Sequence, residues 1–266
     1  MEDLLGLGKV SNNGLEMIKL VYPDVAQPAI KKVGHALGAT TDFVTIPFKY
    51  LGLISQKADI NIKKHLKDYQ QKIDPYPEEQ IGSVPPEIGV PIIEELTRVT
   101  NDQLASMYVN LLVNASLVDK SRYAHPSFLN VIKSLSADEA KIINHYKYNR
   151  DPLLVIAILK NNSLDGTLTD FGQIFINIDD HVDLQYKENK SFYFNNLEKL
   201  GILTADHNFP SFMEDVVASK SQEILNQREH FNKLIEDNDN LQELNAGYVL
   251  SDYGKEFIKS ISVQES

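Results

Sequence analysis

The stretch AHPSFLNVIKSLSADEAKIINHY, residues 124–146, decides the fold of this region because it specifies a helical corner. Pro126 suits the first position of a helix, where a missing amide hydrogen costs nothing. Apolar residues then recur at helical spacing: Phe128, Ile132 and Leu135. Ser136 and Glu139 form an S-x-x-E capping box, in which each side chain accepts a hydrogen bond from the other residue's amide. Two helices separated only by a cap are predicted to form a fixed corner.

Upstream of this corner, a longer apolar stripe predicts one continuous helix of about six turns. Its members are spaced three or four residues apart: Leu51, Ile54, Ala58, Ile62, Leu66, Tyr69 and Ile73. Four lysines lie beside or opposite the stripe, and we name them the basic face: Lys57, Lys63, Lys64 and Lys67. The helix should end at Asp74, because the residue before a proline disfavours helical geometry.

The remaining segments of the first half complete a predicted helical domain over residues 24–148. Residues 1–23 contain the breaker SNNG and are expected to be loosely ordered. Residues 74–91 hold five prolines, which predicts an extended strap followed by a helix that begins at Pro91. A T-x-x-Q capping box over residues 100–103 predicts the next helix. Apolar residues follow the box at core spacing: Leu104, Tyr108, Leu111, Ala115 and Val118.

Residues 149–262 have a different texture, which predicts a winged-helix-like domain containing both helices and strands. Residues 153–159 form an apolar run that fits either a helix or a buried strand, and residues 166–177 resemble a strand pair. A helix over residues 191–200 precedes a glycine and a strand, and residues 247–261 predict a strand, a serine-capped turn and a helix. An acidic helical insert, about residues 212–244, separates these parts. The predicted fold class is therefore mainly α.

Composition sets the class of protein. The net charge is −11 and there is no cysteine, which excludes disulfides and thiolate chemistry and fits a reducing compartment. The amino-terminal sequence does not match a signal peptide, and no apolar window is long enough for a transmembrane helix. We therefore predict a cytoplasmic protein that associates with membranes only when active.

Charge is uneven, because residues 27–73 carry eight lysines against three acids, whereas residues 151–266 carry nine basic and twenty acidic residues.

Several motifs in this order resemble the abortive infection alpha (Abi-alpha) family of bacterial proteins. The most specific of them is AHPSFLNVIKSLSADEAKII, residues 124–143. Others are AIKKVGHALGATTDF, VPPEIGVPIIEEL, LASMYVNLLVNA, NNLEKLGIL and LSDYGKEF. The resemblance covers residues 28–261 and implies a role in defence against phage. It implies neither catalytic residues nor a cofactor.

One cluster has the residue types of a metal site, namely NIDDHVD over residues 177–183. Carboxylate and imidazole groups of Asp179, His181 and Asp183 could hold Mg²⁺ or Mn²⁺ if alternate positions face one way. The alternative is a solvated acidic loop, which we favour because no partner motif elsewhere completes a site. We therefore predict that the chain has no metal centre and no cofactor.

Charge also separates two classes of binding partner. The acidic second domain disfavours nucleic acid, since its candidate recognition helix offers only Lys199, with Lys190 just before it. The basic face could instead contact an anionic membrane, where each surface lysine contributes about 1 kcal/mol. The alternative is the ordinary solvated side of a packed helix.

These observations predict a non-enzymatic phage-defence effector or sensor that acts through protein contacts or self-association, with an anionic membrane as a further candidate partner. A winged-helix DNA-binding regulator is the first alternative. A metal-dependent enzyme using Asp179, His181 and Asp183 is the second.

Overall fold

The computed structural model describes residues 56–148, 153–161, 168–176, 178, 181–206, 222–236 and 241–263. These residues form two compact units, one up to Ala137 and again from Glu256, the other from Asp138 to Lys255. The predicted domains were residues 24–148 and 149–262. The second unit begins earlier than residue 149, at Asp138, and ends earlier than residue 262, at Lys255. The described residues contain eight α-helices and four strands, which confirms the mainly α class.

The first helix of the first unit, α1, spans Gln56–Ile73 and follows the predicted stripe. Ile62, Tyr69 and Ile73 are buried, and Leu66 is half-buried. The hydroxyl groups of Tyr69 and Ser116 form a hydrogen bond of 2.7 Å. The helix ends before Asp74 as predicted, whereas Leu51 and Ile54 lie outside the described residues.

The proline strap is shorter than predicted. After a 3-10 turn at Glu78–Gln80, Ile81 bridges to Leu117 in antiparallel fashion, and helix α2 already begins at Pro86 and runs to Leu96. Pro86 occupies the first helical position, where its missing amide costs nothing. Pro91 lies inside α2 and does not start it, so that part of the prediction was wrong. Burial of Ile88, Ile92, Ile93 and Leu96 offsets the hydrogen bond that Pro91 cannot make.

Helix α3, Asp102–Ser116, is the centre of the first unit, and eleven of its fifteen residues are buried. Its cap is Asn101, whose side chain accepts from the amides of Gln103 and Leu104 at 3.0 Å each. The predicted capping box was therefore misplaced by one residue. Tyr108, Leu111 and Ala115 are buried as predicted, but Leu104 is only half-buried and Val118 is exposed beyond the end of the helix.

Two consecutive helices form where the sequence predicts the helical corner. Helix α4, Pro126–Lys133, has Pro126 at its first position and His125 as its cap, with the His125 ring accepting from the Ser127 amide at 3.1 Å. Phe128, Ile132 and Leu135 are buried. Helix α5, Ala137–Tyr148, begins directly after Ser136, as expected if Ser136 is its cap. The reciprocal bond between Ser136 and Glu139 stays a prediction.

The chain returns to the first unit at Glu256, within helix α8, Asp252–Ser260. Phe257 is fully buried and packs against Phe128 with ring centroids 5.6 Å apart. Two buried asparagines of α3 bind the carbonyl groups where α8 ends. Asn110 donates to Ile261 at 2.8 Å, and Asn114 donates to Ser260 at 2.7 Å. These amides replace the partners that the last carbonyls of a helix lack.

The second unit is built on an antiparallel sheet of four described strands. The strands are β1 (Leu153–Asn161), β2 (Leu168–Ile176), β3 (Leu203–Asp206) and β4 (Leu241–Leu250), in the order β2-β1-β4-β3. The apolar run at residues 153–159 is thus a strand. The strand pair predicted within residues 166–177 was wrong, because β2 is a single strand that pairs with β1.

Helix α6 (Lys190–Lys199) precedes β3, and helix α7 (Gln222–Glu236) precedes β4. The helical insert was predicted to extend to residue 244, but β4 begins at Leu241. Strand β4 pairs with both β1 and β3, so the strands that flank the insert are neighbours as expected. The more specific winged-helix assignment stays a prediction.

Ser251 caps α8 by accepting from the Gly254 amide at 2.8 Å. Gly254 is needed because a Cβ at this position would lie 2.1 Å from the carbonyl oxygen of Ile202. Gly201, with a φ of 73°, ends α6 in the left-handed conformation that favours glycine. The predicted serine-capped turn is confirmed.

Candidate functional site

The second unit contains a buried carboxylate, Asp138, in the first turn of α5. Its side chain is 2% exposed. It accepts hydrogen bonds from the amides of Gln185 and Tyr186, each at 2.9 Å, and from the Tyr193 hydroxyl at 3.1 Å. Lys141 adds a fourth contact at 3.1 Å. Asp138 therefore fixes the loop before α6, and α6 itself, to the start of α5.

Two opposing effects set the ionisation of Asp138. Burial alone would raise the pKa of its carboxyl group, but the amides of Gln185 and Tyr186, with Lys141 and Tyr193, hold that pKa below its usual value. The group therefore stays ionised at neutral pH with its acceptor capacity used by the protein. Lys141 also donates to the Asp183 carbonyl at 2.7 Å. The loop before α6 is therefore bound to α5 by Lys141 as well as by Asp138.

Glu139 is equally buried and accepts from the Asn196 side chain at 2.7 Å. Consecutive acids in the first turn of a helix are also favoured by the helix dipole. The sequence analysis assigned Glu139 to the cap and overlooked Asp138. The signal that could have revealed the pair was two adjacent acids at the start of a helix that is otherwise packed. Both side chains are buried and hydrogen-bonded to residues of the same unit.

Helix α6 has a buried inner side and an exposed outer face. Its inner side chains Tyr193, Phe194 and Leu197 are buried, and the Phe194 ring lies 4.8 Å from that of Tyr248. The outer face consists of exposed residues at helical spacing: Phe192, Asn195, Glu198 and Lys199. Phe192 is 66% exposed, and Tyr186, shortly before the helix, is 49% exposed. Exposed aromatic side chains are typical of protein-binding surfaces.

All four lysines of the basic face lie on α1. Lys64 and Lys67 are exposed, and Lys64 pairs with Asp102 at 2.5 Å. Both partners of this pair are largely exposed, so the pair is weak and sensitive to salt. Of the described side chains of the apolar stripe beside the basic face, Ile62, Tyr69 and Ile73 are buried and Leu66 is half-buried. Within the described part of the chain, no helix has the length and apolar character required to cross a bilayer.

The predicted metal residues are only partly described. Asp179 lies outside the described residues, whereas His181 and Asp183 are exposed side chains in the loop between β2 and α6. No group of three or more metal-ligating side chains occurs among the residues that the structure describes. A residue that sequence analysis missed lies next to this loop: the ring of His145, on α5, is 5.1 Å from the ring of His181.

Similarity to known proteins identifies the family of the chain. No curated protein matches it. Among solved structures, it is similar to an uncharacterized protein from the marine bacterium Alcanivorax borkumensis SK2, at 14% identity and a TM-score of 0.35. That match covers 54% of this chain and 96% of the other. Residues 57–261 match the family described as abortive infection alpha, in agreement with the motifs noted in the sequence. The chain therefore belongs to the abortive infection alpha family.

Proposed function

We propose that the chain acts in phage defence as a non-enzymatic effector or sensor that binds a protein partner through the outer face of α6. The family supplies the process, because its description is abortive infection. The observation that carries the proposed mechanism is the exposure of Phe192 on that face. A large aromatic side chain that is left in water on a packed helix favours a partner that covers it.

Charge supports a protein partner over DNA. Residues 138–255 carry eleven basic and twenty acidic residues, a net charge of −9, which repels phosphate groups. On the outer face of α6, Lys199 is balanced by Glu198. A DNA-reading helix would present several arginines or lysines there.

The buried acids support a non-enzymatic role. Asp138 has four donors and Glu139 has the Asn196 amide, so both carboxylates hold elements of the second unit together. Catalytic acids and bases must instead reach a proton on a substrate. Cytoplasmic location belongs to the same proposal, since a trigger produced during infection would be met there.

The test is a phage challenge with Phe192→Ser and with the double variant Phe192→Ser, Tyr186→Ser. Both changes remove exposed side chains, so the free energy of unfolding should change by no more than about 0.5 kcal/mol. We expect protection to fall in the single variant and to fall further in the double variant. Tyr148→Ser is the matched control, because Tyr148 is an aromatic residue of the same unit that is 74% exposed.

Partner binding is measured separately by crosslinking during infection and by sedimentation of the purified chain, which distinguishes a foreign partner from a second copy. Full protection by Phe192→Ser at unchanged abundance would contradict the proposal. Salt-sensitive, sub-micromolar binding of duplex DNA would instead support the alternative of a DNA-binding regulator.

A second candidate function is contact with an anionic membrane through the basic face. The exposure of Lys64 and Lys67, three residues apart on one side of α1, supports it. The described apolar stripe is largely buried, with only Leu66 half-buried, so this contact would be mainly electrostatic unless α1 leaves its unit. Replacing Lys57, Lys63, Lys64 and Lys67 by Gln should reduce binding to vesicles that contain anionic lipid, and raising the salt concentration should do the same. Unchanged vesicle binding by a folded quadruple variant would eliminate this candidate.

A further inference from the structure

Two histidines meet on the surface of the second unit from distant parts of its sequence. His145 lies in the last turn of α5, and His181 lies in the loop that follows β2. Their ring centroids are 5.1 Å apart and their planes are inclined by 47°. His181 is exposed and His145 is half-buried, so the pair is open to solvent on one side.

The spacing of the rings suits a shared metal ion. A metal held by imidazole nitrogen at about 2.0–2.1 Å lies roughly 3 Å from the ring centroid, so two rings at a tetrahedral angle have centroids about 5 Å apart. The observed 5.1 Å agrees with this value. Neutral imidazoles are ligands for Zn²⁺, Ni²⁺ and Cu²⁺ rather than for Mg²⁺ or Ca²⁺.

The local charge also favours a cation. The second unit is acidic, with a net charge of −9 over residues 138–255. Lys141 lies one turn before His145 on α5, and its ammonium group pairs with Asp138 at 3.1 Å and donates to the Asp183 carbonyl. The charge of that lysine is therefore matched by a buried carboxylate and opposes a nearby metal ion only weakly.

We propose that His145 and His181 form a surface site for a borderline transition-metal ion such as Zn²⁺, Ni²⁺ or Cu²⁺, with water in the remaining coordination positions. The site shares His181 with the predicted set, but His145 takes the place of Asp179 and Asp183, and the metal is a different one. It connects α5 to the loop after β2, so a bound ion would stabilise the second unit. No catalytic role is attached to it.

The experiment is titration of the full chain with ZnCl₂ by calorimetry, and with CuCl₂ by electron paramagnetic resonance. We expect one ion per chain and nitrogen hyperfine structure from two imidazoles. His145→Gln and His181→Gln should each weaken binding by at least about tenfold, because losing even an outer-shell partner has that effect. His230→Gln is the matched control, since His230 is an exposed histidine of the same unit.

The second readout is the melting temperature, which Zn²⁺ should raise in the native chain and in His230→Gln but not in His181→Gln. His181 is exposed, so its substitution leaves the fold intact and the comparison valid even if His145→Gln is less stable. Absence of binding at 1:1 stoichiometry, or equal affinity in the native chain and both pair variants, would overturn the proposal.

Discussion

The substitution Asn114→Asp would test how the end of α8 is held in the first unit. The Asn114 side-chain amide donates to the Ser260 carbonyl at 2.7 Å and to the Ser262 carbonyl at 3.1 Å, and the residue is 1% exposed. Aspartate has the same shape, so no cavity forms. It replaces the NH₂ group by a carboxylate oxygen that faces those carbonyl oxygens.

The expected cost follows from two contributions. Leaving a buried carbonyl unpaired costs about 1–3 kcal/mol, and leaving a charge buried without a partner brings the total to about 3–5 kcal/mol. Asn114→Ala should cost less, about 1–2 kcal/mol, because it removes the buried Oδ1 atom, which has no hydrogen-bond partner in the described structure. The order of the two variants is the diagnostic result.

The measurement is urea unfolding of the full chain at pH 7 and pH 4. The new carboxyl group should have a raised pKa in the folded state, since its protonated form can donate to the carbonyls. The deficit of Asn114→Asp should therefore be smallest at low pH and grow as pH rises. Asn130→Asp, at an exposed position of α4, is the control and should change stability by no more than about 0.5 kcal/mol. If Asn114→Asp is as stable as Asn114→Ala at pH 7, the amide does not bind these carbonyls.

Three further predictions concern buried groups. Burial lowers the pKa of His65 in the folded chain. The free energy of unfolding should therefore fall as pH drops below about 6.5, because His65 then binds a proton more readily in the unfolded chain than in the folded one. In thermal melts, His65→Gln should make the melting temperature less dependent on pH. Asp138→Asn should lower the free energy of unfolding in urea by about 2–4 kcal/mol, because a neutral amide accepts fewer of the hydrogen bonds that the carboxylate now accepts. A loss below 0.5 kcal/mol, on the order of a surface change, would contradict the anchoring role of Asp138. Gly254→Ala should destabilise by about 1–3 kcal/mol despite the better helix propensity of alanine, because its Cβ collides with the Ile202 carbonyl; a more stable variant would refute that packing.

Helices whose buried apolar residues recur every three or four positions are predictable from the sequence. Helix α1 and the succession of α4 and α5 were predicted because the period, the proline and the caps are local signals. The start of α2 was misplaced because proline is both a strap residue and a good first residue of a helix. Only packing of Ile88 and Ile92 decides between these alternatives.

The interactions that define the candidate sites are not local, which is why sequence analysis missed most of them. The Asp138 carboxylate meets an amide 47 residues away, and Asn114 meets a carbonyl 146 residues away. His145 and His181 likewise come together through folding of the second unit. An exposed Phe192 is also invisible in the sequence, because the same letter would fit the buried side of α6.

The division of the chain into units has a consequence for its biosynthesis. The first unit is interrupted by the second, since residues from Glu256 onward rejoin it. During translation, the partners of Asn110, Asn114 and Phe128 are made only after the whole intervening stretch, which takes about ten seconds at the usual 5–20 residues per second. Throughout that interval the nascent first unit lacks Phe257 in its core. Completion of the first unit is thus delayed during synthesis until the residues from Glu256 onward have left the ribosome.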